Sequence, residues 1–467
     1  MTTENLIADK NYWSTVNQRT NQTDNSPNLI VRGMLHQESL WGSRGGAAVA
    51  TDAMIQIMQD QLGMVVACNT LTPDDPTAIT HKSYGVDLMA RPEKNGKPIK
   101  NNEDLAEEML QNPEYMQYMM LLMNGSDATF ANYWLAGVVA VRAREQMEEL
   151  QRTNTPLMTD NEGNSTYIHK IPKIIFCNHS LPARIDEELS KKAAQTNGNG
   201  HKQMDQRRAD FQFEVYDKAD AVVVWTDTEK EEAAEKYPDI PNLENKTHKV
   251  TIPVFFDRET AQQMKAQKRQ EYFKNSITDE TTVFYFQGRL VDYKHPEIVL
   301  DSFIQTYNTL LEENGIEPDI ACLIAGDGPL HQILLDKVKT LPEDMQKRIT
   351  LPGRVEQYDG HAAGDILIFP SEKESFGLTG VEAAITGNAV IANNIGTIAE
   401  ANGPGGIYAS TPQEYTDAML RLIFDPSERA CRTQQLQEYT TRYSADTTAT
   451  DLQTMIVNMG LAPDTNA

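Results

Sequence analysis

The chain has only four cysteines, Cys68, Cys177, Cys322 and Cys431, widely scattered and without ligand spacing. That argues against a disulfide framework or a cysteine-built metal centre, and most of them sit in apolar, strand-like runs as reduced core residues would. Long apolar runs are missing too. The Met-rich stretch from Tyr115 to Met123 falls well short of the roughly eighteen apolar residues that a membrane span needs. Met1 to Thr20 is polar, includes Asp9 and Lys10, and has no apolar segment of the secretory type, so a soluble cytoplasmic protein is expected. Bases are scarce: 67 acids stand against 42, giving a formal charge of −25. Nucleic-acid and membrane-surface binders usually display a basic face, so the balance favours a small or neutral partner. The local basic clusters at Lys94 to Lys100 and Lys202 to Arg208 read as solvated loops. No Asp-x-Asp triplet occurs anywhere, so the sequence offers no such pair to bring a metal ion to a phosphate.

What is present points to nucleotide chemistry. At 467 residues and 40% hydrophobic content the chain exceeds one ordinary core and suits two Rossmann-like α/β domains. The apolar run Ile366 to Phe369, closed by Pro370, reads as a buried strand leading through Ser371 to Leu378 into a helix. Glu374 lies on that glycine-containing loop and Glu382 in the first turns of the helix. Amides and the helix dipole at such a junction hold phosphate oxygens, while carboxylates accept hydrogen bonds from hydroxyls. Two plainer readings stand beside this: Thr379 and Glu382 fit a Thr-x-x-Glu capping box, and Glu374 alone is a solvated loop acid.

Upstream, the strand Thr282 to Gln287 ends at Gly288. Arg289 and Lys294 follow, with Pro296 at a helix start. A planar guanidinium and a compact ammonium are the pair to neutralise a diphosphate without a metal. Another strand, Ala321 to Ala325, breaks into Gly326-Asp327-Gly328-Pro329, where the glycines shape the turn.

These residues, in this order, resemble the C-terminal half of the retaining glycosyltransferases of family 4, which have the GT-B fold. The resemblance runs through Gly288-Arg289-Leu290 with Lys294, Gly326 to Pro329, Gly353-Arg354-Val355, the pair Glu374 and Glu382 around Phe376-Gly377-Leu378, and Gly387 to Ala392. It departs at His295 and Asn388, where the family usually has glycine and proline. It implies two Rossmann-like domains whose parallel sheets face one another across a cleft. Domain one would span 1–253 and domain two 254–425, with helical segment 426–467 crossing back to domain one. It also implies a nucleoside-diphosphate sugar as donor, UDP-linked for preference, and no further cofactor. Glu382 would take ribose hydroxyls and Glu374 the transferred sugar, assisted by the amides of Phe376, Gly377 and Leu378, with the backbone of Val355 at the base. Retention would proceed on one face of the sugar, with the leaving phosphate helping to deprotonate the acceptor. In the first half, Gly45 and Gly46 open a helix like the family's glycine loop. His179, at the end of the strand Lys173 to Cys177, matches a histidine near the reacting sugar.

The acceptor is then expected to be a sugar, a glycolipid head group or a small metabolite. Phage-type transfer to hydroxymethylated DNA is the alternative, with Lys202, Arg207 and Arg208 as its basic surface. A nucleotide-sugar-binding protein, phosphorylase or epimerase on the same fold is the alternative of another class. The segment from Tyr84 to Met123, rich in Asn, Lys and Glu, reads as an exposed insertion, and Tyr133 to Arg144 as the start of an amphipathic helix.

Overall fold

The computed structural model describes residues 29–35, 46–71, 85–89, 93–94, 97–99, 102–179, 206–274, 276–313 and 318–461. They divide into one unit made of 1–253 with 445–467 and another of 254–444.

The first unit is built on a parallel seven-stranded sheet. Its strands are β1 (Ile30–Leu35), β2 (Val65–Leu71), β3 (Gly85–Met89), β4 (Ala128–Asn132), β5 (Lys173–Cys177), β6 (Ala221–Val224) and β7 (Thr247–Lys249). They lie in the order β7-β6-β5-β4-β1-β2-β3. Buried on both faces, β4 to β6 read as continuous apolar runs, as parallel strands covered by helices do. The sequence order reverses between β1 and β4, whose residues Leu35 and Asn132 are paired.

Tyr84 to Met123 is not an exposed insertion. It supplies edge strand β3 and then the helices Asn102–Gln111 and Pro113–Met123. Leu105, Met109, Met116, Met119, Met120 and Met123 are buried against the helix Tyr133–Thr153. Within each helix the spacing is helical, Leu105 to Met109 in the one and Met116 to Met119, Met120 and Met123 in the other, a pattern that the polar composition of the segment masks. The helix Tyr133–Thr153 is likewise buried all round from Trp134 to Val141, not amphipathic there.

The second unit holds a parallel six-stranded sheet of β8 (Thr282–Gln287), β9 (Ile320–Ala325), β10 (Ile349–Gly353), β11 (Ile366–Phe369), β12 (Ala389–Asn393) and β13 (Ile407–Ala409). The order is β10-β9-β8-β11-β12-β13, so the reversal falls between β8 and β11. One face packs on Phe284, Phe286 and Phe303, the other on Tyr285, Leu367 and Phe369. This is the doubly wound arrangement in which ligands bind beyond the strand ends at the reversal point.

The chain returns to the first unit later than residue 426. Helix Pro426–Thr440 packs in the second unit, with Leu436 in its core, and only helix Ala445–Asn458 belongs to the first. There Leu452, Met455 and Ile456 are buried, and Asp451 accepts the Thr251 amide at 2.9 Å. Cys68, Cys177 and Cys322 are buried, whereas Cys431 is exposed on helix Pro426–Thr440. No helix among the described residues is long and apolar enough to cross a membrane.

Candidate active site

Three loops are stitched together at the ends of β8, β9 and β10. Gly288 donates to the Ala325 carbonyl at 3.0 Å, Leu290 to Asp327 at 2.9 Å, and Gly326 to Gly353 at 2.7 Å. The fit explains the glycines of the Gly-Asp-Gly turn. Gly326 has φ 144°, and a Cβ there would lie 1.8 Å from the Gly288 carbonyl oxygen; one on Gly328 would lie 2.3 Å from that of Leu290. They let the cation-bearing loop lie directly on the next one.

That loop forms a short turn, Asp292–Lys294, followed by Pro296 in the first position of helix Pro296–Asn308. His295 between them sits in the left-handed region at φ 50°. Its Nδ1 lies 2.7 Å from Glu297 and its Nε2 3.3 Å from Glu372. The hydrogen bond to Glu297 leads the causes that raise its pKa above the ordinary value. The Glu372 amide donates to the Tyr293 carbonyl at 2.8 Å, so the loops after β8 and β11 are tied across the reversal point.

Lys294 and Glu374 meet there as an ion pair, each side chain largely covered. The Lys294 ammonium also faces the rings of Tyr293 and Phe369 at 5.8 and 5.9 Å. Arg289 hydrogen-bonds the Tyr293 hydroxyl, and among the described residues no carboxylate pairs with it. Tyr293 thus stands between the two cations, a role that its place in the sequence did not reveal. Glu374 is held by its own backbone, whose carbonyl accepts from Thr397 Oγ1 at 2.7 Å.

Helix Leu378–Thr386 begins after Gly377, which takes φ 89° at the cap position and supplies no side-chain cap. The capping box is therefore not formed: Thr379 already lies inside the helix, and the first amides remain directed outward. Phe376 is buried edge-on against Tyr443 at 5.1 Å, which leaves its backbone rather than its ring for a ligand. Glu382, one turn in, is also buried, and its Oε2 lies 3.3 Å from Nε2 of His361, a residue that no motif singles out. Val355, half-buried, follows Gly353 at φ 80° at the end of β10.

In the first unit His179 follows β5. Its ring packs 5.0 Å from Trp225, and its Nε2 is 3.2 Å from Asn132 Oδ1 at the end of β4. Burial lowers its pKa to about 3, so it is neutral near pH 7 and serves as a hydrogen-bonding group. The adjacent Tyr133 has φ 73°, an uncommon value for a bulky residue and one that marks a constrained corner. Neighbouring Asn178 is fixed by Glu229 at 2.9 Å. Gly46 opens helix Gly46–Asp60; Gly45 lies outside the described residues, as does Lys202. Arg207 is paired with Asp104 and Glu107 at 3.0 and 2.9 Å. The structure thus gathers Arg289, Lys294, Glu374, Glu382 and the 376–378 amides in the second unit, and His179 and Gly46 in the first.

Residues 281–425, which hold the whole of the first set, match the family model described as glycosyl transferases group 1. Among solved structures, HepE of Anabaena in complex with UDP and glucose superposes with a TM-score of 0.64 at 14% identity, over 92% of this chain and 100% of that one. Sucrose-phosphate synthase of Thermosynechococcus elongatus does so at 0.66 and 17%, over 93% and 99%. The fold is therefore that of the GT-B glycosyltransferases. Curated relatives carry the likeness along the sequence. The D-inositol 3-phosphate glycosyltransferase of Corynebacterium urealyticum is 27% identical over 72% of this chain and 73% of its own. That of Saccharomonospora viridis is 25% identical over 68% and 67%. Over residues 281–425 the chain is thus similar to the group 1 glycosyltransferases, and the curated relatives it matches are glycosyltransferases.

Proposed function

We propose that the chain transfers a sugar from a nucleoside-diphosphate donor, a UDP-sugar, to an acceptor hydroxyl with retention of configuration. The observation that carries this reading is the Lys294–Glu374 pair at the reversal point of the second sheet, with Arg289 beside it and no acid on Arg289 among the described residues. Arg289 and Lys294 take the diphosphate and stabilise the charge that develops as it leaves. Glu374 accepts from hydroxyls of the sugar, Glu382 from ribose, and the amides heading helix Leu378–Thr386 reach the phosphate oxygens. The backbone of Val355 meets the base. His179, neutral, donates to or accepts from the sugar near the reacting carbon, and a phosphate oxygen of the leaving group takes the acceptor proton.

UDP is favoured because HepE, whose fold this chain shares, has been solved in complex with UDP and glucose. The relatives named for D-inositol 3-phosphate make a small phosphorylated polyol the first acceptor to test, ahead of glycolipid head groups and other sugars. A panel of nucleotide sugars ranked by thermal shift, followed by mass analysis of products with inositol phosphates and sugars, tests the reading. Donor turnover with a mass gain of one sugar on a small acceptor is expected; absence of any shift with every nucleotide sugar would overturn it. With two cations supplied by the chain, chelator is expected to leave the rate largely intact. Loss of activity restored by manganese would count against the site.

A further inference from the structure

Glu382 is the inner end of a line of buried polar groups drawn from three other segments. Asn388 follows the helix, its side chain buried. Its Nδ2 lies 2.8 Å from the His361 carbonyl oxygen and 3.0 Å from the Tyr285 hydroxyl, with Thr386 Oγ1 more distant at 3.3 Å. A carbonyl can only accept, so this atom is the amide nitrogen, and its second hydrogen goes to the phenol oxygen. Burial raises the Tyr285 pKa well above the ordinary value, so the phenol keeps its proton. Having accepted from Asn388, Tyr285 donates to His361 Nδ1, 2.8 Å away. The imidazole hydrogen then stands on Nε2, which is 3.3 Å from Glu382 Oε2. The ring is gripped edge-on by Tyr285 and Phe256, each with centroids 5.6 Å away, so its plane is fixed.

We propose that Asn388, Tyr285 and His361 form a one-way hydrogen-bond relay that positions Glu382 for the nucleotide. His361 occupies Oε2 and leaves Oε1 as the acceptor for a ribose hydroxyl; this rests on the reading of Glu382 as the ribose ligand. None of the three touches the nucleotide, and they act through the orientation of one carboxylate. The relay gives Asn388 a part that proline, usual at this place in the family the chain resembles, could not take, since proline has no side-chain donor for a carbonyl and a phenol at once. A free buried carboxylate would choose among rotamers when ligand arrives, whereas a held one has that ordering done in advance. Asn388 and His361 also border a polar cavity of about 540 Å³ lined by Arg258, Lys265 and Arg429. Water from that side can substitute for part of Asn388, so the strongest effects are expected at Tyr285 and His361.

Calorimetry with UDP on the full-length protein, alongside donor kinetics, tests the relay. Tyr285→Phe removes one oxygen and is expected to weaken UDP binding about 3- to 10-fold, the range for one hydrogen bond, with the loss in donor KM rather than kcat. His361→Gln, which can still donate to Glu382, should bind better than His361→Ala. Glu382→Gln should weaken UDP on its own, and adding Tyr285→Phe to it should cost nothing further, because the relay has no other outlet. If Tyr285→Phe fails to fold, Asn388→Ala takes its place in the same cycle. Additive losses in the double variant, or wild-type UDP affinity in Tyr285→Phe while Glu382→Gln is impaired, would overturn the relay. Wild-type affinity in Glu382→Gln would instead remove Glu382 from the nucleotide site.

Discussion

At the scale of single residues, the site holds one charge against another, Lys294 against Glu374, and leaves Arg289 without a carboxylate among the described residues. Replacing Arg289 or Lys294 by alanine is expected to lower turnover by roughly two to three orders of magnitude, the effect of losing a preorganised charge contact. Circular dichroism should still show a folded chain, and near-normal turnover at saturating donor would remove the diphosphate assignment. His295 acts on stability rather than chemistry. Its left-handed φ of 50° explains why the family it resembles usually places glycine there, and here the cost of order 1 kcal/mol is offset by ties to Glu297 and Glu372. Those acids, Glu297 foremost, raise its pKa in the folded state, with burial acting in the opposite direction. The stabilisation is therefore full below the unfolded value of about 6.5 and fades as pH rises through the raised folded value. Thermal melts should show His295→Gln further below wild type at pH 6 than at pH 9; a gap that does not depend on pH would show that the imidazole charge has no part in it.

At the scale of elements, the strand–loop–helix units of the second half were legible because each is a local pattern: an apolar run, a glycine, then a helix start. Pairings across the sequence were not. Lys294 and Glu374 are 80 residues apart, and Tyr285 and His361 are 76 apart, and no spacing rule joins them. The Thr-x-x-Glu match at Thr379 failed because Gly377 starts the helix earlier, carrying Glu382 inward. In the first half, polar composition hid a methionine stripe at helical spacing, so two core helices read as an insertion. The dependence of one loop on the next can be tested at Gly326. Alanine there meets the Gly288 carbonyl oxygen, so a loss of about 1–3 kcal/mol in urea unfolding is expected, together with reduced turnover as the cation loop shifts. Gly163→Ala, also at positive φ but with nothing within 4 Å, should cost only the backbone term and leave turnover alone.

At the scale of the whole molecule, charge bears on the acceptor. Duplex DNA carries a phosphate charge about every 1.7 Å, and a chain at −25 is repelled by it unless basic side chains are free on one face. Arg207, one of the candidates, is instead engaged by two acids. Transfer assays across a salt series should therefore label small polyols and sugars and leave hydroxymethylcytosine DNA unlabelled; efficient DNA labelling that falls steeply with salt would reverse the preference. The late return of the chain has a different consequence, one of timing. Residues 254–444 form an uninterrupted unit whose ends are adjacent, the Val254 amide donating to the Tyr443 carbonyl at 3.0 Å, whereas the first unit is completed by Leu452, Met455 and Ile456 near the end of the chain. A ribosome that has made the whole of the first sheet has not yet made the helix that packs on Gly46–Asp60. The unit begun second is thus the first whose residues are all available, and the N-terminal unit waits through the synthesis of 254–444 before its last helix can pack.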